Sequence, residues 1–100
     1  MQNIQFILSP SSRPNKKLMI LLGSKIIHFG ATGYSDFTLH KDIKRKMRYE
    51  NRHKKKEDWT INGIYSAGFW AKWILWNKPT LQQSIIDVNK RFHLKIKLQK

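Results

Sequence analysis

The chain has 100 residues, with 20 Lys and Arg against six Asp and Glu, a net charge of +14, and no cysteine. That length supports one domain with a modest core. The missing thiols exclude disulfides, thiolate metal sites and a cysteine nucleophile, and no stretch approaches the roughly 18–20 apolar residues of a membrane span. A compact body with this excess of positive charge repels itself, which points to a polyanionic partner. Nucleic acid comes first, with an anionic membrane or an acidic protein surface behind it.

Residues 1–15 are expected to form an arm, flexible or ordered by a partner. Ile4-Gln5-Phe6-Ile7-Leu8 is an apolar patch suited to an edge strand or such an arm, and Ser9-Pro10-Ser11-Ser12-Arg13-Pro14-Asn15 reads as a loop. Met1–Leu8 lacks the positive n-region and long apolar stretch of a secretory signal, so an unexported protein is expected. Residues 16–100 then read as a single small basic domain. Lys17–Leu22 and Lys25–Phe29 are β-like runs separated by Gly23-Ser24, which predicts a hairpin over about 17–29. The turn is type II′, because Gly at its first position accepts positive φ without a Cβ clash. Gly30–Thr38 reads as an ordered loop anchored by burial of Tyr34 and Phe37, with Ser35 and Asp36 forming a turn or cap.

A helix is predicted over about 40–55, N-capped by Asp42, burying Ile43 and Met47 and carrying a Glu50–Lys54 ion pair. Glu57–Gly68 is a connection. Ser66 caps a second helix over about 67–77, with Phe69, Trp73 and Trp76 on one face and Trp70 and Ile74 beside them. Asn77 suits a left-handed exit, and Pro79 blocks continuation. Thr80-Leu81-Gln82-Gln83 is a capping box opening a third helix over about 80–92, with Leu81, Ile85, Val88 and Phe92 as its core stripe. The alternation Leu94-Lys95-Ile96-Lys97-Leu98 suits a short C-terminal strand. The fold class is therefore α+β, a hairpin followed by three helices.

Little in the chain suggests catalysis. His28, His40, His53 and His93 are scattered, and no carboxylate stands at a metal-ligand spacing, so no metal or cofactor is expected. Asp36 and His40, at i and i+4 beside Ser35, can orient an imidazole, but neither an activated nucleophile nor an oxyanion site accompanies them. A non-enzymatic protein follows. The tryptophans after Gly68 are read as core. Tyr49 and Trp59, next to the basic run, are the candidates for base stacking, although Lys or Arg stems packed on their rings explain them equally well.

The first helix carries the sharper expectation. Lys41, Lys44, Arg45, Arg48 and Arg52 spread over one broad side, and Lys54, Lys55 and Lys56 extend it at the C-terminal end. This strip is the expected nucleic-acid-binding surface. It has no zinc finger, RNP motif or zipper heptads, so binding is expected to be largely sequence-independent and strongly salt-dependent.

A resemblance adds context. His28-Phe29-Gly30, Gly33-Tyr34-Ser35-Asp36-Phe37-Thr38, His40-Lys41-Asp42, Arg48-Tyr49, Arg52-His53, Trp59, Ala67-Gly68-Phe69-Trp70 and Trp73-Ile74-Leu75-Trp76-Asn77-Lys78-Pro79 stand in this order over about residues 25–92. The pattern resembles a small uncharacterised basic protein family of nucleocytoplasmic large double-stranded DNA viruses. Ile43 stands where proline is common in that family. The resemblance implies a viral protein of the virion or of the infected cell, in cytoplasmic factories or the nucleus, and assigns no functional residues. Two functions follow as expectations. One is a nucleic-acid-binding protein, for DNA or RNA, in genome organisation or packaging. The other is a structural component of a large assembly, capsid-associated or ribosome-like, contacting other assembly proteins.

Overall fold

A four-stranded sheet carries helices on one face, an α+β fold, in a computed structural model that describes residues 6–99. The strands are β1 (Phe6–Pro10), β2 (Lys16–Leu22), β3 (Lys25–Ala31) and β4 (Ile96–Leu98), in the order β3-β2-β1-β4. β1 runs antiparallel to β2 and parallel to β4. The register places Phe6 opposite Leu22 and Ile96, and Leu8 opposite Ile20. With the two-residue period of a strand, these side chains and Phe29 share one face, and all of them are buried. The opposite face, with Ile7, Met19, Leu21 and Ile26, is half-buried or exposed.

One expectation changes here. Phe6–Pro10 is no arm. It is an interior strand with both edges paired, and its second partner, β4, comes from the far end of the chain. Ile4 and Gln5 lie outside the described residues. The hairpin itself forms as expected, and Gly23 at φ 61° with Ser24 outside the left-handed region matches a type II′ turn.

Gly30 is a further point at which the backbone dictates the residue. It has φ 78°, and a Cβ there would lie 2.6 Å from Leu75 Cδ1 and 3.3 Å from Lys17 Cβ. Strain and overlap together predict that Gly30→Ala costs about 1–3 kcal/mol. A fall in Tm of at least several degrees would register this; an unchanged Tm would show that the strand end relaxes freely.

After β3 come a one-turn helix α1 (Phe37–His40), α2 (Ile43–His53), a 3₁₀ turn (Ile61–Gly63), α3 (Ala67–Trp70) and α4 (Leu81–Phe92). Asp36 caps α1, accepting from the Thr38 backbone N–H and hydroxyl, and Asp42 Oδ1 caps α2 at 2.9 Å from Lys44 N. Phe37 is buried as expected, whereas Tyr34 is 74% exposed and anchors nothing. Its loop is held instead by Lys17, whose ammonium lies 2.6 Å from the buried Asp36 carboxylate.

The tryptophan segment departs from a simple helix. α3 runs directly into a π turn over Ala71–Leu75, where Trp76 N–H reaches back to Ala71 O. A π turn needs more residues per revolution than an α turn. The core-facing positions therefore recur at i, i+1, i+5 and i+6: Phe69, Trp70, Ile74 and Leu75 are buried, while Trp73 and Trp76 are half-buried. The expected Phe69–Trp73–Trp76 face assumed a 3.6-residue period that the backbone does not keep.

Asn77 also differs from expectation. It stays out of the left-handed region, and its buried side-chain amide donates to Asp87 Oδ2 at 2.7 Å. Thr80 caps α4 by accepting from Gln83 N–H at 3.1 Å, but its hydroxyl donates to Gln83 Oε1, so the capping box lacks its backbone return bond. Ile85 and Val88 are buried and Leu81 and Phe92 half-buried, the stripe that the sequence predicts. Asn89 accepts from Ile96 N–H at 2.8 Å, and Gln99 N–H donates to Leu8 O at 2.8 Å. These bonds bring β4 back beside β1.

Candidate nucleic-acid interface

Four residues decide how α2 faces. Lys46, Tyr49, Glu50 and His53, at i, i+3, i+4 and i+7, form its inner side. Tyr49 is buried, with the His53 ring at 4.3 Å on one neighbouring contact and the Trp76 ring, nearly parallel, at 4.3 Å on another. Lys46 Nζ donates to Asn77 O at 2.7 Å and lies 5.1 Å from the Phe37 ring centre. Burial, followed by the nearby Lys72 charge, lowers its pKa from the usual lysine range. Glu50 receives the ammonium of buried Lys72 at 2.8 Å, and that ammonium also sits over the Trp73 ring at 4.5 Å. This inner side is amphipathic rather than apolar, with stems and rings buried and every charged tip partnered.

Three expectations fail on that geometry. Ile43 and Met47, the expected buried pair, are 58% and 56% exposed and face outward. Glu50 is committed to Lys72, not to Lys54. Tyr49 is enclosed by rings and is not available to stack on a base. Trp59 is half-buried, its indole N–H donating to Glu57 Oε1 at 3.0 Å while Lys72 Nζ lies 5.3 Å from its ring centre. Both aromatics brace the helix from behind.

His40 does not pair with Asp36. Its Nδ1 accepts from Asp42 N–H at 2.9 Å, its ring lies 5.3 Å from that of Trp76, and its Nε2 is buried without a partner among the described residues. Burial, reinforced by Arg45, lowers its pKa, so the ring favours its neutral form.

The outer side of α2 is electrostatically simple. Lys44, Arg45, Arg48 and Arg52 are exposed along it, and exposed Lys54, Lys55 and Lys56 follow its last turn. Among the described residues, none of these side chains has an ion-pair partner. The six acids explain why. Asp36, Glu50, Glu57 and Asp87 are paired with Lys17, Lys72, His53 and Arg91. Asp42 caps α2, and Asp58 accepts the Thr60 hydroxyl and backbone N–H, which lowers its pKa. Lys41 stands apart from the other predicted cations. Its ammonium donates to Thr38 O at 2.7 Å and Pro79 O at 2.8 Å, tying α1 to the start of α4.

Lys17, Lys46 and Lys72 are the lysines whose structural weight the sequence reading missed. Lys72 carried a signal, since a single charge inside Phe69-Trp70-Ala71-Lys72-Trp73-Ile74 must find a counter-charge if the segment is core. Lys46 and Lys17 had none, being two more cations in a basic chain.

No helix among the described residues is long and apolar enough to cross a membrane. No curated protein and no solved structure matches the chain. Residues 6–53, from the first residue of β1 to the last of α2, match a family of unknown function (DUF5754), which attaches neither an activity nor an origin to them.

Proposed function

We propose that the protein is a non-enzymatic nucleic-acid-binding protein that contacts the phosphate backbone through the outer side of α2. One observation carries this reading: Lys44, Arg45, Arg48, Arg52 and Lys54–Lys56 are exposed together without ion-pair partners among the described residues, while every acid is occupied elsewhere. A row of free cations on a rigid helix neutralises phosphates and releases their counterions, and such contacts are blind to sequence. With the stacking candidates turned inward, base-specific contacts have no obvious source. The sequence resemblance to a family of large DNA viruses would place such binding in genome organisation or packaging.

Binding to duplex DNA, duplex RNA and heparin, each titrated across salt concentration, tests this. About five phosphate contacts give a slope of log K against log salt near −4.5 and a loss of affinity of roughly a hundredfold or more between 50 and 200 mM salt. Absence of binding to either duplex at low salt would eliminate the proposal. Equal binding to heparin would reduce it to a general affinity for polyanions.

A second reading, a structural component of a large assembly, is favoured by the exposed apolar side chains of Leu39, Ile43 and Met47 and by Ile86 at 66% exposure. Phosphate contact does not require such residues, whereas a protein neighbour would cover them.

A further inference from the structure

A cavity of about 370 Å³ lies behind α2, on the side opposite its free cations, where Tyr49 and His53 face the ends of β2 and β3. That volume falls within the usual range of small-ligand sites. Its apolar lining comes from Phe29, Ala71 and Leu75 together with the ring of Trp76. Gly30 lines it as well, and the Leu75 methyl that a Cβ at Gly30 would strike belongs to the same wall.

The polar groups of the cavity are partly committed within the protein. Its two acids are saturated. Asp36 takes the Lys17 ammonium, the Thr38 backbone N–H and the Thr38 hydroxyl. Glu57 takes His53 Nδ1 and Trp59 Nε1, each at 3.0 Å. Three unspent groups are donors, beside the Tyr34 and Ser35 hydroxyls and His53 Nε2, which also line the cavity. Lys16 lines the cavity with no ion-pair partner among the described residues. The Tyr49 hydroxyl and the Trp76 indole N–H have no hydrogen-bond partner there either, although Tyr49 is only 6% exposed. Both tips keep some contact with solvent, since His40 Nε2 is the buried side-chain polar atom without a partner among the described residues, so acid oxygens would take the place of water there. Burial, aided by the Glu57 charge, pushes the Tyr49 hydroxyl above its ordinary range, so it keeps its proton and remains a donor.

We propose that this cavity binds a small anion with a flat apolar body, a ring bearing one carboxylate or phosphate. The ring lies against Phe29, Ala71 and Leu75, and the acid oxygens accept from Lys16, Tyr49 and Trp76. The proposal is independent of phosphate-backbone binding, which uses the other side of the helix.

The test is a titration of the folded protein with benzoate and with phenyl phosphate, followed by the Trp76 indole N–H and the Gly30 and Ala71 amide resonances. Benzyl alcohol supplies the ring without the charge, and inorganic phosphate the charge without the ring. Saturable shifts with at least one of the two acids are expected, with a Kd of about 1 mM or tighter for fragments of this size. The tighter of the two identifies the head group. Tyr49→Phe, which keeps the ring stack, should weaken binding about tenfold, and Lys16→Gln should weaken it several-fold. Absence of saturable shifts with either acid would overturn the proposal. So would shifts of equal strength from benzyl alcohol, inorganic phosphate as effective as phenyl phosphate, or unchanged binding by a folded Tyr49→Phe protein.

Discussion

Replacing Trp70 by alanine is expected to remove a large part of the domain's stability. Trp70 is fully buried, edge-on to Phe69 with ring centres 5.0 Å apart, and its indole N–H donates to Ile64 O at 2.7 Å. Truncation removes the largest fully buried side chain and leaves that carbonyl without its donor. Losses of about 3–5 kcal/mol are typical for a core tryptophan, against a total stability of about 5–15 kcal/mol for a domain. Trp73→Ala should cost distinctly less, because Trp73 is only half-buried, resting on Phe92, on buried Lys72 and on exposed Arg91. Urea midpoints of the two variants therefore read the phase of the π turn directly. If Trp73→Ala proved the more damaging, the segment would follow an ordinary helical period and the core assignment would be wrong.

The second large effect concerns binding. Lys44→Gln, Arg45→Gln, Arg48→Gln and Arg52→Gln introduced together should lower duplex affinity by up to several thousandfold near 0.1 M salt. Each lost phosphate contact removes about 0.9 from the salt slope and nearly a factor of ten at that concentration. Folding should be nearly unaffected, since these exposed side chains make no ion pairs among the described residues. Relief of like-charge repulsion can even raise the Tm slightly. An affinity that survives in a folded variant would move the contact surface away from α2.

Local signals in the sequence were legible and long-range ones were not. Gly23-Ser24, Asp42, Ser66 and Thr80 each act within a few residues, and each does in the structure what its chemistry implies. The Leu81–Phe92 stripe was equally readable, because α4 keeps a regular period. What escaped was set by distant partners. The interior place of β1 depends on β4, some ninety residues later, and an isolated apolar patch carries no sign of that pairing. The inner side of α2 was misread because hydrophobicity favours Ile43 and Met47. The observed choice depends instead on Trp76, Lys72 and Asn77 offering a ring, a counter-charge and a carbonyl to Tyr49, Glu50 and Lys46. The cationic strip survived this rotation because basic residues cover most of the helix. With Ile43 and Met47 outside, the strip also gained an apolar border that the sequence reading had assigned to the core.

The contact surface can be mapped by lysine acetylation of the folded protein with and without a saturating DNA duplex at low salt, read residue by residue. Binding through α2 predicts protection of Lys44, Lys54, Lys55 and Lys56, with exposed Lys90, Lys95 and Lys97 still reacting and buried Lys72 silent in both states. Protection centred on Lys90, Lys95 and Lys97, with Lys44 and Lys54–Lys56 still reactive, would contradict the assignment of this helix as the phosphate-binding surface.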